Sequence, residues 1–215
     1  MKAFFYIFEG FADWECAYAL AELRTGRYFK AGATAARVVT VSDGGGSARS
    51  MGGLYVQADM DLRDMEAGAG DILMLPGGEG WEGERNAAVL NLASRIIEKR
   101  QGGDAGPCLA AICGATLGLA KAGLLNEIKH TSNAKEYLAS AGSAYRGHDR
   151  YVDAPAVADG GFVTASGLAA LEFAYEIFSM LGVMESGTAA AWLRLQRERS
   201  YAAYGAFMAS LGKSQ

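Results

Sequence analysis

The chain has 215 residues, 51% of them hydrophobic and 20% charged, with a formal net charge of −4. At roughly 150 residues per domain this length suits one large α/β domain, and it can bury a core without disulfide or metal staples. The charge argues against a nucleic-acid footprint, because the densest basic run (Arg194, Arg197, Arg199) is interleaved with Glu198 and reads as a solvated helix face.

The apolar run Lys2–Phe8 predicts a buried first strand; Glu9 and Asp13 interrupt it, which does not suit a secretory leader. No stretch reaches the roughly 18 apolar residues of a membrane span. Asp13–Arg24 carries Trp14, Ala17, Tyr18, Ala21 and Leu23 at helical spacing. Ala36–Ser42 predicts a strand closed by the Gly44–Gly46 turn, Leu54–Gln57 a short edge strand, and Asp71–Leu75 a strand stopped by Pro76–Gly77–Gly78. Ala87–Arg100 is amphipathic, with Val89, Leu92, Ile96 and Ile97 facing inward. Pro107–Ile112 predicts a strand, and Ala115–Lys121 a helix stopped by Gly123.

A short strand near Lys129–Thr131 and a helix from about Asn133 to Ala141 are expected next. Tyr151–Ala158 and Phe162–Ala165 form a predicted hairpin across Asp159–Gly160–Gly161. Leu168–Leu181 and Ala189–Leu211 are helical stretches. Strand–helix alternation implies a flavodoxin-like three-layer α/β sandwich, with a mostly parallel sheet and ligands at the carboxyl ends of its strands. Residues 1–182 are expected to form the domain. Residues 183–215 are expected to add a helical extension, packed on the domain or on a second copy.

The three cysteines, Cys16, Cys108 and Cys113, show no metal spacing, so neither a metal nor a cofactor is expected, and the usage suits a reduced cytoplasmic setting. Cys16 and Cys108 read as core filler. Cys113 differs: an apolar strand runs into it, Gly114 follows, and a helix begins. Such an elbow projects a nucleophile above the sheet edge, and the helix terminus favours a thiolate. On the residues alone, a cysteine acting as a small buried hydrophobe remains the alternative. Gly78–Glu79–Gly80–Trp81–Glu82–Gly83 fits a dinucleotide fingerprint by letter, but Glu79, Glu82 and Glu84 would repel a pyrophosphate.

Leu75–Pro76–Gly77–Gly78, followed by Ala110–Ala111–Ile112–Cys113–Gly114 and a helix through Leu119, resembles the ThiJ/PfpI family of the class I glutamine amidotransferase-like superfamily. Gly10–Phe11–Ala12–Asp13–Trp14–Glu15 resembles its N-terminal loop-to-helix motif. Ser50–Met51–Gly52–Gly53–Leu54, and Ser166–Gly167 before Glu172–Phe173, also fit, so the similarity spans about residues 2–182. The resemblance implies Cys113 as nucleophile and Glu15 as the carboxyl that contacts it, with Gly78 and Gly114 N–H groups for an oxyanion. A glutamic acid kept protonated by burial can donate to a thiolate.

The family's peptidases carry a histidine directly after the nucleophile, where this chain has Gly114; its deglycase-type members carry one at the place of Asn133. The two histidines are His130 and His148. Trp14, His130 and Asn133 are the expected pocket residues, although a strand-end histidine without a catalytic role is the simpler reading of His130. Peptidase and glutaminase activities are therefore disfavoured. The resemblance implies a cysteine-dependent enzyme on a small carbonyl or amide substrate, working as a cytoplasmic homodimer with neither a nucleic-acid nor a membrane partner. A redox or stress sensor acting through Cys113, or a vestigial site, are the alternatives.

Overall fold

The computed structural model describes residues 1–101 and 106–212; the last three residues of the expected extension lie outside that set. Its main sheet has seven strands in the order β5-β2-β1-β6-β7-β9-β8. These are β1 (Lys2–Tyr6), β2 (Arg37–Ser42), β5 (Met60–Asp61), β6 (Ile72–Leu75), β7 (Cys108–Ile112), β8 (Ala156–Asp159) and β9 (Phe162–Ala165). All pairs are parallel except β8 with β9. β6, β7 and β9 are buried at every residue, as strands covered on both faces must be. Helices α1 (Ala17–Thr25), α2 (Ala87–Gln101), α3 (Gly114–Lys121), α4 (Lys135–Ala139), α5 (Ala170–Leu181), α6 (Ser186–Glu198) and α7 (Tyr201–Leu211) complete the sandwich.

Register fixes where the strand exits meet. Leu75 pairs with Ala111, and Ile112 with Ala165. The segments leaving β6, β7 and β9 therefore start level with one another, and they carry Gly77, Cys113 and Gly167.

Several boundaries differ from the sequence expectation. Helix α1 starts at Ala17 because Asp13 is held outside it, accepting hydrogen bonds from Ser50 Oγ and, at 3.1 Å, from the Gly52 N–H. Tyr55–Gln57 (β4) does not border the main sheet; it pairs with Ser47–Arg49 (β3) in a separate antiparallel ribbon. The expected strand at Lys129–Thr131 is reduced to one bridge between His130 and Tyr151. Helix α4 starts only at Lys135, because Ala134 is extended (φ −163°, ψ 158°). Strand β8 begins after Pro155, which has no N–H for a ladder.

The expected single helix Ala189–Leu211 is two. Arg199 turns left-handed (φ 52°), and Ser200 caps α7 by accepting from the Ala203 N–H at 3.1 Å. Helix α6 is tied to the sheet domain through Trp192, whose Nε1–H donates to Glu22 Oε1 at 3.3 Å and whose ring meets Phe178 edge-on. Phe207 of α7 packs edge-on against Tyr28. Among the described residues no helix is long and apolar enough to cross a membrane.

Candidate active site

Cys113 sits between the last residue of β7 and the first of α3, with φ 58° and ψ −125°. A side chain in the left-handed region costs on the order of 1–3 kcal/mol and persists only where its surroundings hold it. Three anchors do so here. The Cys113 N–H donates to the Ala165 carbonyl at 3.0 Å, and the Cys113 carbonyl accepts from the Thr116 N–H at 3.1 Å and from Thr116 Oγ1 at 2.6 Å. Thr116 Oγ1 is itself fixed by Ser132 Oγ, 2.7 Å away. The result lifts a half-buried sulfur off the sheet edge, while Cys16 and Cys108 are buried, as core filler should be.

Glu15 reaches the sulfur from the turn before α1. It is 2% exposed, accepts the Gly77 N–H at 2.5 Å through Oε2, and hydrogen-bonds the Cys113 thiol. Two glycines make the meeting sterically feasible. A Cβ on Gly77 would lie 2.7 Å from Glu15 Oε2 and 3.0 Å from Cys113 Sγ. A Cβ on Gly167 would lie 2.8 Å from Sγ and 3.1 Å from Glu15 Oε1. Neither glycine has a positive φ, so space rather than conformation requires them.

Asn133 approaches from a third side. Its Nδ2 donates to Cys113 Sγ at 3.4 Å, and its Oδ1 accepts the Gly167 N–H at 2.8 Å, which fixes which end of the amide faces the sulfur. Gly114 gives its N–H to the same sulfur. The space that a side chain at 114 would need belongs to Trp81: a Cβ there would come within 2.8 Å of Trp81 Cδ1. The indole is buried, and its Nε1–H donates to the Pro76 carbonyl at 3.0 Å.

The electrostatics are those of a pair sharing one proton. Burial pushes Glu15 up to about 7, against the Gly77 and Cys113 hydrogen bonds that favour its charged form. Burial also pushes the Cys113 thiol up; the Asn133 amide and the Gly114 N–H pull it down, and an ionised Glu15 pushes it up again. The helix-terminus effect expected from sequence is thus outweighed by desolvation. Near neutrality Glu15 moves between two roles: as a carboxylate it can accept the thiol proton, and as an acid it can donate to the thiolate.

The other predicted residues divide. Trp14 borders Glu15 and is half-exposed. Gly78 lies beside Gly114, its carbonyl oxygen 3.3 Å from the position of a Gly114 Cβ, and it is pressed beneath the Gly10 carbonyl with φ 131°. His130 is not brought to the sulfur. It is fully buried; its Nδ1 meets the Ile128 carbonyl at 2.8 Å and its Nε2 the Tyr145 hydroxyl at 2.7 Å. A carbonyl can only accept, so Nδ1 carries the proton, and burial lowers the ring's basicity. His148 stacks edge-on with Tyr145 on the same side.

A cleft of about 670 Å³ opens beside the sulfur, lined by Ser132, Asn133, Lys135, Tyr151, Asp153 and Ser166 among others. It adjoins Cys113 through Asn133, which touches Sγ, and through Ser166, the neighbour of Gly167. Tyr137 stands nearby; its hydroxyl donates to Glu82 at 3.4 Å and burial pushes it up to about 12, so it stays protonated. Sequence reading assigned no role to Gly77, Gly167, Trp81 or Tyr137. The glycines stood inside quoted motifs, but only their packing against Sγ shows what they do.

The family model described as DJ-1/PfpI family matches residues 1–180. An uncharacterized protease, YoaZ, of Bacillus subtilis (strain 168) is 39% identical over 91% of this chain and 90% of its own length. A thiJ/pfpI family protein from Bacillus anthracis superposes with a TM-score of 0.90 at 37% identity, covering 97% of this chain and 96% of that one. The DJ-1 superfamily protein Atu0886 from Agrobacterium tumefaciens gives 0.74 at 34% identity, over 93% and 100%. The chain belongs to the DJ-1/PfpI family.

Proposed function

We propose that the chain is a cysteine-dependent enzyme acting on a small carbonyl compound, with a reactive aldehyde preferred over an amide. One observation carries this reading: a buried carboxyl pushed up to about 7 lies in hydrogen-bond contact with the sulfur of a strained elbow cysteine. A proton acceptor matched to neutral pH is what a half-buried thiol needs in order to attack. The Cys113 thiol gives its proton to the Glu15 carboxylate as Sγ bonds to the carbonyl carbon. The carbonyl electron pair moves to oxygen, where the backbone N–H groups of Gly114 and Gly78 donate to it. Return of the proton from Glu15 to that oxygen gives a hemithioacetal.

With a 2-oxoaldehyde, Glu15 then moves the proton from the hemithioacetal carbon to the adjacent carbon, while the hemithioacetal hydroxyl gives its proton to the former ketone oxygen. The second carbon becomes a secondary alcohol and the first the carbonyl of a thioester. Water hydrolyses it to a 2-hydroxy acid and frees the thiol. Peptide cleavage fits less well, since a leaving amine needs a proton donor such as histidine. The position after Cys113 cannot hold one while Trp81 fills its space. Purified protein supplied with methylglyoxal should form lactate, and Cys113→Ala should abolish it; equal turnover by the variant eliminates the proposal.

A second reading, redox sensing, draws on Cys113 being the one cysteine of the three that is not buried. Mild peroxide followed by mass spectrometry separates the two. Stable oxidation confined to Cys113 without turnover supports sensing, and uniform oxidation of all three cysteines rejects it.

A further inference from the structure

A second set of strand exits meets away from the sulfur. Tyr6 ends β1 and pairs with Val41, next to Ser42 at the end of β2. The sheet then grows in both directions from β1, with β2 on one side and β6 on the other. In open α/β sheets the crevice outside such a switch point is where ligands bind. Here it holds a cavity of about 230 Å³, lined by Tyr6, Glu9, Ser42, Asp43, Ser47 and Arg85 among others. Neither Cys113 nor Glu15 lines it. The Trp81 indole stands between the two places: it meets Tyr6 and Phe8 edge-on, while its Cδ1 and Cε3 lie against Gly114 and Gly118 of α3.

The buried part of this cavity is polar. Tyr6 is 2% exposed and donates its hydroxyl proton to Asn86 Oδ1 at 2.9 Å, which leaves the phenol lone pairs to accept from another donor. Asn86 is equally buried, and its Nδ2 is the one buried side-chain nitrogen or oxygen among the described residues without a partner. A buried donor left unpaired costs stability, and native folds keep few of them.

The exposed part carries opposite charges that do not close on each other. Burial and then the Asp43 carboxylate push the Tyr6 hydroxyl up, while Arg85 pulls it down, so both charges act on one buried oxygen. Among the described residues neither Asp43 nor Arg85 is in an ion pair. Arg63, which also feels Asp43, is bound to Asp61. The Arg85 stem lies against Gly80, where a Cβ would come within 3.1 Å of its Cδ, and its guanidinium reaches the Glu9 carbonyl at 3.5 Å. One carboxylate oxygen of Glu9 accepts the Arg49 N–H at 3.0 Å.

We propose that this cavity binds a small zwitterion, a free α-amino acid with a short side chain, holding its ammonium between Asp43 and the Tyr6 oxygen and its carboxylate on Arg85. A carboxylate and a guanidinium that line one cavity without pairing suit a ligand that carries both signs. The guanidinium fork matches a carboxylate, and the phenol lone pairs beside Asp43 match an ammonium. The cavity's 230 Å³ is roughly seven to eight times the ~30 Å³ share of a liquid water, which suits glycine, alanine or serine. The inference stands apart from the chemistry proposed for Cys113 and does not depend on it.

The test titrates the intact protein with glycine, L-alanine and L-serine in turn, followed by amide NMR. Saturable shifts are expected in residues 7–9 and 42–48, which bound the cavity, with a Kd at or below about 10 mM. N-acetylglycine lacks the ammonium and glycinamide lacks the carboxylate, so each should bind about tenfold or more weakly than glycine. Asp43→Asn and Arg85→Gln should each weaken glycine by a similar factor. Both side chains are exposed, so the variants keep the fold, which their amide spectra away from the cavity check.

Absence of saturable shifts at these amides with all three amino acids overturns the proposal. Equal affinity for N-acetylglycine or glycinamide overturns it too, since the site would then read a single charge. So does wild-type affinity in both variants. Shifts confined to the residues around Asn133 would place the amino acid in the cleft beside Cys113 and reject the cavity as its site.

Discussion

Glu15 and Glu22 lie seven residues apart, about two helical turns, and both are buried, at 2% and 3% exposure. Their surroundings make them different groups. Glu22 meets a cation: Arg27 donates to its two oxygens at 2.8 and 2.6 Å, and Trp192 adds an indole N–H. Glu15 meets only neutral donors, the Gly77 N–H and a thiol, and burial raises it to about 7. A buried carboxylate paired with a guanidinium is a clamp, and here it fastens α6 to α1. A buried carboxyl offered only neutral donors keeps its proton loosely near neutrality, and here it holds that proton beside a sulfur.

The comparison breaks first on activity. Cys113→Ala is expected to lose turnover by at least about 10³-fold, and Glu15→Gln by about 10²–10⁴-fold, the range for removing a positioned proton-transfer group. Gln keeps an oxygen for the Gly77 N–H but cannot take a proton. Steady-state lactate formation measures both, and a Glu15→Gln enzyme within threefold of wild type would mean that Glu15 moves no proton.

Glu22→Ala should act on stability instead. It leaves the Trp192 Nε1–H buried without its acceptor and Arg27 without its partner, a loss of about 2–4 kcal/mol. Urea unfolding measures it. Specific activity of the folded fraction should hold, since Glu22 touches nothing at the sulfur. An unfolding midpoint unchanged by the substitution would show that the clamp contributes nothing.

Next in size is a pH effect with a defined sign. Glu15 is raised in the fold from an ordinary value of 4.5 to about 7, so its contribution to stability is full below pH 4.5 and is lost as pH rises towards 7. Gln cannot ionise. Glu15→Gln is therefore expected to exceed wild type in stability by about 2–3 kcal/mol near pH 8, and to match it near pH 4. Denaturant midpoints at the two pH values decide it; a variant less stable than wild type at pH 8 would show that the ionised form is favoured in the fold.

The mostly parallel sheet and the elbow were legible because parallel strands are apolar throughout and because strand, Cys113, Gly114 and helix follow one another directly. Glu15 was legible only through its motif, since its partner is 98 positions away in the chain and joins it through register. Asn133 was visible as the residue standing where the family resemblance leads one to expect a histidine, but not its two bonds to Cys113 and Gly167. The break at Arg199 was hidden because arginine carries no turn signal, and β3 because Ser47–Ala48–Arg49 has no β-branched residue. Gly77, Gly167 and Trp81 were hidden for another reason. Their role is to leave or fill space next to a distant residue, and local sequence does not encode which space that is.

Gly114→Ala puts the steric part of that account to the smallest and sharpest test. Its Cβ would lie 2.8 Å from Trp81 Cδ1 and 3.3 Å from the Gly78 carbonyl oxygen. Gly114 has an ordinary helical backbone and alanine is the better helix former, so propensity alone predicts a gain approaching about 1 kcal/mol. Packing predicts the reverse. The indole is fixed by its bond to Pro76 and cannot swing away freely, so overpacking should cost about 1–3 kcal/mol and leave a net loss of up to about 2 kcal/mol. Trp81→Phe removes the bulk that collides, and in that background Gly114→Ala should become neutral or stabilising. A double-mutant cycle reads the coupling directly. If the two substitutions add without coupling, the indole is not what keeps a side chain, histidine included, out of the position after the nucleophile.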